Sequence, residues 1–190
     1  MKTRDIDIRK YLHNCHLLEF QCNSSTIVVD ELSLCQGDAR VDVAVINGSI
    51  HGYEIKSESD TLERLPAQMT VYCKVLDTVT VVTGKCHTQK ILDMVPDWWG
   101  VTEASKEMDS DFRLSIIRES TANESIDPFS LVQLLWRSEA LSILKVLGLE
   151  KGMLSKPRRV LWQKLVDSVL LEDLKFYTRE QLKSRTGWRS

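Results

Sequence analysis

Two apolar stretches joined by Asn47-Gly48 constrain this chain more than any other feature. Arg40 to Ile46 and Ser49 to Lys56 are strand-like, and Asn-Gly between such runs is a two-residue hairpin signal. Side chains alternate along a strand, so an ordinary surface hairpin is apolar on one face only. Here Val41, Val43, Val45 and Ile55 oppose Ala44 and Ile46, which leaves little room for a solvated face. Glu54 and Lys56 share one face while Ile55 takes the other. The hairpin lays the preceding strand alongside, which predicts Asp42 on the same face, near Glu54.

Charges on such strands need compensation. An isolated buried carboxylate is costly, and two together repel unless a cation lies between them. Oxygen-only ligands suit a hard divalent ion, Mg²⁺ or Mn²⁺, bound by Asp42 and Glu54 with the backbone carbonyl of Ile55 completing the set. Such an ion polarises a phosphodiester and stabilises the leaving oxygen. Lys56 would orient the attacking water or neutralise charge on the phosphate. Asp followed by Glu-x-Lys is a weak pattern alone and equally describes an exposed charge pair. The apolar surroundings favour a site.

Along the chain, Thr3 to Phe20 reads as a helix with a stripe of Ile8, Tyr11, Leu12, Cys15 and Leu18. Thr26 to Leu34 is a first strand, and the hairpin extends it into a three-stranded meander. A helix from Leu62 to Leu76 carries Pro66 near its first turn, where proline is tolerated. Thr78 to Thr83 is a strand and Thr88 to Met94 a helix. Trp98 to Ala104 and Phe112 to Arg118 are two more strands around a charged loop. Phe129 to Leu147 is one helix ended by Gly148, followed by helices at Val160 to Leu171 and Leu174 to Lys183. The expected class is α/β with a mixed sheet, residues 1–122 forming the core and 123–190 a helical C-terminal module.

The order helix, three-stranded meander, helix, strand, with Asp42 and Glu54-Ile55-Lys56 on the second and third strands, resembles the PD-(D/E)xK nuclease superfamily. Val41 stands where that superfamily usually has proline. More closely, the chain resembles a family of small bacterial and phage proteins within it. The matching pieces are VDELSL (Val29 to Leu34), CQGDARVDVAV (Cys35 to Val45), HGYEIKS (His51 to Ser57), TLERLP (Thr61 to Pro66), PDWWG (Pro96 to Gly100), LLWRSEAL (Leu134 to Leu141) and SKPR (Ser155 to Arg158). The resemblance implies a restriction-endonuclease-like core and a divalent-metal-dependent nuclease acting on DNA, with the choice between DNA and RNA left open. It also implies an acidic residue ahead of the Asp strand. Glu31 is the candidate, with Asp30 and Glu19 as competitors; Asp30 points to the opposite face if this stretch is extended. Gln68 and Tyr72 form a Q-x-x-x-Y pair one helical turn apart, similar to the motif of RecB-type nucleases, although their spacing alone equally fits an ordinary helix. Arg40 and Ser57 flank the motif as phosphate contacts, while His51 is expected only to cap the hairpin edge. The alternative is a nucleic-acid-binding or regulatory module that keeps the fold without cleaving.

Charge is unevenly spread. Residues 151–190 hold 10 basic and 4 acidic residues, whereas residues 1–150 hold 15 and 23. A basic tail fits a nucleic-acid-contacting extension, with Arg158 and Arg159 as phosphate contacts, and equally fits a solvated helix face. Trp98-Trp99 is expected to pack rather than stack on bases, and Trp136 and Trp162 to lie between helices. The 5 cysteines include no CxxC, so buried reduced thiols are expected rather than a zinc site or disulfides. No apolar run approaches the roughly 20 residues of a membrane helix, and a cytoplasmic protein is expected, working as a homodimer or within a larger protein machine. No Walker loop, GxGxxG, GxSxG or HExxH occurs.

Overall fold

A computed structural model describes residues 4–106, 112–186 and 188. The charged loop expected before Phe112 falls on 107–111, and Thr3 at the start of the first helix also lies outside the described residues.

Six strands form one sheet in the order β1-β2-β3-β4-β5-β6 among the described residues: β1 (Ile27–Leu34), β2 (Ala39–Ile46), β3 (Ile50–Lys56), β4 (Thr78–Gly84), β5 (Gly100–Lys106) and β6 (Phe112–Arg118). The meander β1-β2-β3 is antiparallel, β3, β4 and β5 run parallel, and β6 returns antiparallel. The parallel pairs are linked through α3 (Leu65–Val75) and α4 (Thr88–Met94), the crossovers such pairs require. The protein is α/β with a mixed sheet and a helical C-terminal part, consisting of α5 (Pro128–Val132), α6 (Arg137–Val146), α7 (Arg158–Ser168) and α8 (Leu171–Ser184).

Both faces of the sheet are covered at its central strands, while Ile116 and Ile117 on β6 are exposed. One face packs against α3, α4 and the C-terminal helices, with Val41, Ala44 and Ile46 meeting Leu76, Trp99, Leu131, Leu144 and Leu165. The other carries Val43, Val45, Tyr53 and Ile55 under the N-terminal helical segment. That segment differs from the single expected helix. It is α1 (Asp5–Tyr11), a π turn over Leu12–His16 and α2 (Leu18–Gln21). Leu17 N–H donates to Leu12 O across five residues (2.8 Å). The inserted residue rotates the apolar stripe, so Ile8, Leu12 and Leu17 are buried while Cys15 and Leu18 are exposed.

Three further differences have local causes. The hairpin loop has three residues rather than two, because Asn47 accepts the Ser49 N–H on its own side chain (3.1 Å) and Ile46 pairs with Ile50. The expected helix from Phe129 to Leu147 breaks before Trp136. Glu139 accepts the Trp136 N–H (2.6 Å), starting α6 afresh, while the freed carbonyls of Leu134 and Leu135 accept from Arg185 (2.6 Å) and Trp162 (3.2 Å). Gly148, at φ 69°, ends α6 as expected: its N–H reaches Lys145 O and Leu149 N–H reaches Leu144 O. Trp98 and Trp99 precede β5 in a turn, with Trp99 fully buried. Cys15, Cys22 and Cys86 are exposed rather than buried. No described helix is long and apolar enough to cross a membrane.

Candidate active site

The three-residue hairpin loop decides which residues meet. A two-residue loop would pair Ile46 with Ser49 and set Asp42 against Tyr53. The observed register, Val43 with Tyr53, places Asp42 against Glu54 instead. Pairing between β2 and β3 stops at Val43, and the strands part there. Alternation also breaks at Asp42: Val43 faces the N-terminal segment, but Val41 joins the opposite core with Ala44. β1 kinks at the matching point, where Glu31 adopts φ 57° between the pairs Asp30–Val43 and Leu32–Val41. Asp42 thus turns into the gap, and its Oδ2 accepts the Ile55 N–H (2.7 Å).

Glu54 is 1% exposed and Lys56 5% exposed, on the face covered by α3. Lys56 Nζ donates to Glu54 Oε1 (2.5 Å) and to Gln68 Oε1 (3.2 Å). Gln68 Nε2 donates to the same Glu54 oxygen (2.7 Å), and Tyr72 OH is 2.6 Å from Glu54 Oε2 and 2.9 Å from Arg40 O. Spacing four residues apart on α3 puts Gln68 and Tyr72 side by side, and Gln68 Nε2 also approaches the tyrosine oxygen (3.3 Å). Glu54, Lys56, Gln68 and Tyr72 therefore form one hydrogen-bonded cluster, with Asp42 across the gap.

The electrostatics fit two carboxylates crowded in a poorly solvated space. Burial, with the Glu54 charge second, pushes the Asp42 carboxyl up to about 7, although the Ile55 N–H, Arg9 and Lys56 act against it. Burial and the Glu54 charge likewise raise the Tyr72 phenol, which stays protonated as a donor.

Arg9 was not among the residues expected at the site. Its guanidinium, carried on α1, donates to Asp42 O (2.8 Å) and Asp42 Oδ1 (3.1 Å), and pairs with Glu31 Oε1 (3.0 Å). Burial works against its charge, but Asp42, Asp5 and Glu31 outweigh that and raise its pKa. The one available signal was its place next to buried Ile8 on a helix covering the meander. Glu31 reaches the centre through Arg9 and also pairs with Arg40 Nε (2.6 Å). Asp30 lies 3.9 Å from the Arg9 guanidinium and 2.9 Å from His13 Nε2, so the kink defeats the simple alternation that set it on the opposite side. Ser57 is buried; its hydroxyl and N–H both donate to Asp60 Oδ2 (2.6 and 2.7 Å), closing a turn rather than facing solvent. His51 is not a hairpin cap: its ring lies between Thr78 Oγ1 (2.6 Å) and Thr80 Oγ1 (3.0 Å), and burial lowers its pKa to about 4. Arg40 and Arg158 line a common cleft near the centre, which Arg159 does not line.

The donor set suits a divalent cation held by two carboxylates. Among the described residues no group of three or more His, Cys, Asp or Glu side chains is gathered to hold a metal. Mg²⁺ commonly takes only one or two carboxylates and leaves the rest of its shell to water and substrate, so Asp42 and Glu54 fit that demand. Their mutual repulsion is what a cation would relieve.

The family model described as Bacteriophage P4 protein cII matches residues 4–190. Among curated proteins, Protein cII of Enterobacteria phage P4 is 28% identical over 126 residues, 66% of this chain and 47% of its own length. The chain thus spans about half the length of that curated relative. No solved structure matches. The match over nearly all of its length places the chain in the bacteriophage P4 protein cII family.

Proposed function

We propose that this protein is a divalent-metal-dependent DNA nuclease with a restriction-endonuclease-like core of the PD-(D/E)xK type. The observation that carries the reading is the cluster of Glu54, Lys56, Gln68 and Tyr72 facing Asp42 where β2 and β3 part. Asp42 and Glu54 would hold Mg²⁺ or Mn²⁺, which supplies Lewis-acid polarisation of the phosphodiester when bound. Tyr72 and Gln68 fix the Glu54 carboxylate from two sides, and the Ile55 N–H fixes Asp42. Lys56 brings a positive charge to the same point, suited to stabilising charge that develops on the phosphate. Arg9 holds Asp42 and Glu31 in register from outside. A phage-family protein with this centre would act on DNA in a phage or mobile-element setting.

A second reading, a non-cleaving nucleic-acid module, draws on one observation: both Glu54 oxygens already have protein donors. The two readings separate on one set of variants, scored for Mn²⁺ affinity and for plasmid nicking. The nuclease reading expects Glu54→Gln to weaken both, and Lys56→Ala to retain metal while losing nicking. Wild-type protein that binds Mn²⁺ but never nicks would favour the second reading.

A further inference from the structure

Beside the centre lies a cleft of about 790 Å³ between the β1–β2 edge and the C-terminal helices. One end is acidic, formed by Asp30 and Glu31, and is joined to the active site through the Glu31–Arg9–Asp42 contacts. The remainder is lined by Arg40, Arg158 and Arg185 together with Trp136 and Trp188. Trp136 is 54% exposed, an unusual position for so large an apolar ring.

The ring is held rigidly. Arg185 stacks 4.3 Å from the Trp136 ring centre and 4.9 Å from that of Trp188. The same guanidinium is anchored on Glu139 Oε1 (2.5 Å) and Oε2 (2.6 Å) and on Leu134 O. Arg158 lies 4.5 Å over the Trp162 ring and donates to Gln36 Oε1 (2.8 Å) on the opposite wall. Backbone strain gathers along this wall too. The three non-glycine residues with positive φ among the described residues are Glu31 (57°), Cys35 (47°) and Gln36 (60°), and two of them line the cleft. Such conformations persist where the surrounding structure over-determines them, and they cluster at functional sites.

A pre-ordered indole beside arginines that line the same cleft, leading to a phosphodiester-cleaving centre, suits unpaired bases and their backbone. Every base offers a face for stacking, whereas paired bases in a duplex are already stacked on each other. We propose that this cleft binds a single-stranded segment of DNA, with a base stacked on Trp136 and phosphates on Arg158 and Arg40. It rests on the nuclease reading for its direction: the strand enters along the aromatic wall and meets the centre at Glu31.

The test uses the full chain in EDTA, so that binding is read without turnover. Fluorescence anisotropy compares a labelled oligo-dT with a duplex of equal length. The expected result is a single strand bound about ten-fold tighter than the duplex, with Trp136→Ala weakening the single strand about ten-fold and Trp136→Phe retaining most of it. Arg158→Ala, at an exposed position, is expected to weaken binding several-fold and to reduce the salt dependence by about one phosphate contact. Lys145→Ala, exposed on α6 outside the cleft lining, is expected to change nothing. Unchanged affinity in both Trp136→Ala and Arg158→Ala, or duplex bound as tightly as single strand, overturns the proposal. So does oligo-U bound ten-fold tighter than oligo-dT, which gives the cleft to RNA. Failed binding alongside Mn²⁺-dependent cleavage removes the cleft assignment alone. Intact, Trp136-dependent binding without cleavage removes the nuclease reading alone.

Discussion

Asp42→Asn should make the protein more stable and inactive. Burial and Glu54 move this carboxyl from 3.8 to about 7. A tenfold change in proton affinity is worth about 1.4 kcal/mol, so the ionised side chain costs the fold roughly 4 kcal/mol once the pH passes 7, as an order of magnitude. The folded form holds its proton while the unfolded form loses it. That contribution to stability is therefore complete below about pH 4 and is lost as pH rises towards 7. His51 acts in the opposite sense over much of the same range. Burial lowers its pKa from 6.5 to about 4, so its contribution is gained as pH rises through that window. The two oppose each other in the wild type, and a single pH profile would conceal both. The difference between wild type and Asp42→Asn isolates Asp42, because His51 is common to both. Asparagine keeps an oxygen for the Ile55 N–H, and Arg9 keeps Glu31 and Asp5 as partners. Urea denaturation at pH 4, 6 and 8 should show the variant close to wild type at pH 4 and more stable by a few kcal/mol at pH 8. Mn²⁺ should then stabilise the wild type at pH 8 and leave the variant unmoved. A variant equally stable relative to wild type at all three values, or less stable at pH 8, refutes the crowded-carboxylate account.

Two other substitutions probe the frame around the centre. Tyr72→Phe removes the hydroxyl between Glu54 Oε2 and Arg40 O, and should cost about 1–3 kcal/mol in chemical denaturation. Gly52→Ala places a methyl 2.6 Å from Leu76 Cδ1 and 3.1 Å from Val41 Cγ2 in a closed core, and should destabilise by about 1–3 kcal/mol. An unchanged unfolding midpoint in that variant would mean that the α3–sheet packing is looser than the contacts suggest.

The strands were legible because their side-chain period carries the signal. Thr78 to Thr83 and Phe112 to Arg118 fall on β4 and β6 almost residue for residue. Asp42, Glu54, Lys56, Gln68 and Tyr72 were all picked out by alternation or helical spacing together with the family resemblance. What escaped notice depends on single hydrogen bonds or distant partners. The π turn at Leu12 adds one residue to a helix without any residue type demanding it. The Asn47 side chain lengthens a loop by one residue, which sets the Asp42–Glu54 register. Trp136 reads as a core residue in an unbroken helix; only the break sustained by Glu139, Arg185 and Trp162 turns it outward. Arg9 belongs to no motif, and its role exists only because α1 packs over β3, within reach of Asp42 on the neighbouring strand.

The most direct measurement is cleavage of a panel of single-stranded, duplex, flap and junction DNAs by purified wild type and Lys56→Ala, each with Mn²⁺ and with EDTA. The account predicts Mn²⁺-dependent cutting of at least one substrate by the wild type, with substrates that carry unpaired segments cut fastest, and none by the variant. Absence of cutting on every substrate, or equal cutting by both proteins, would contradict it.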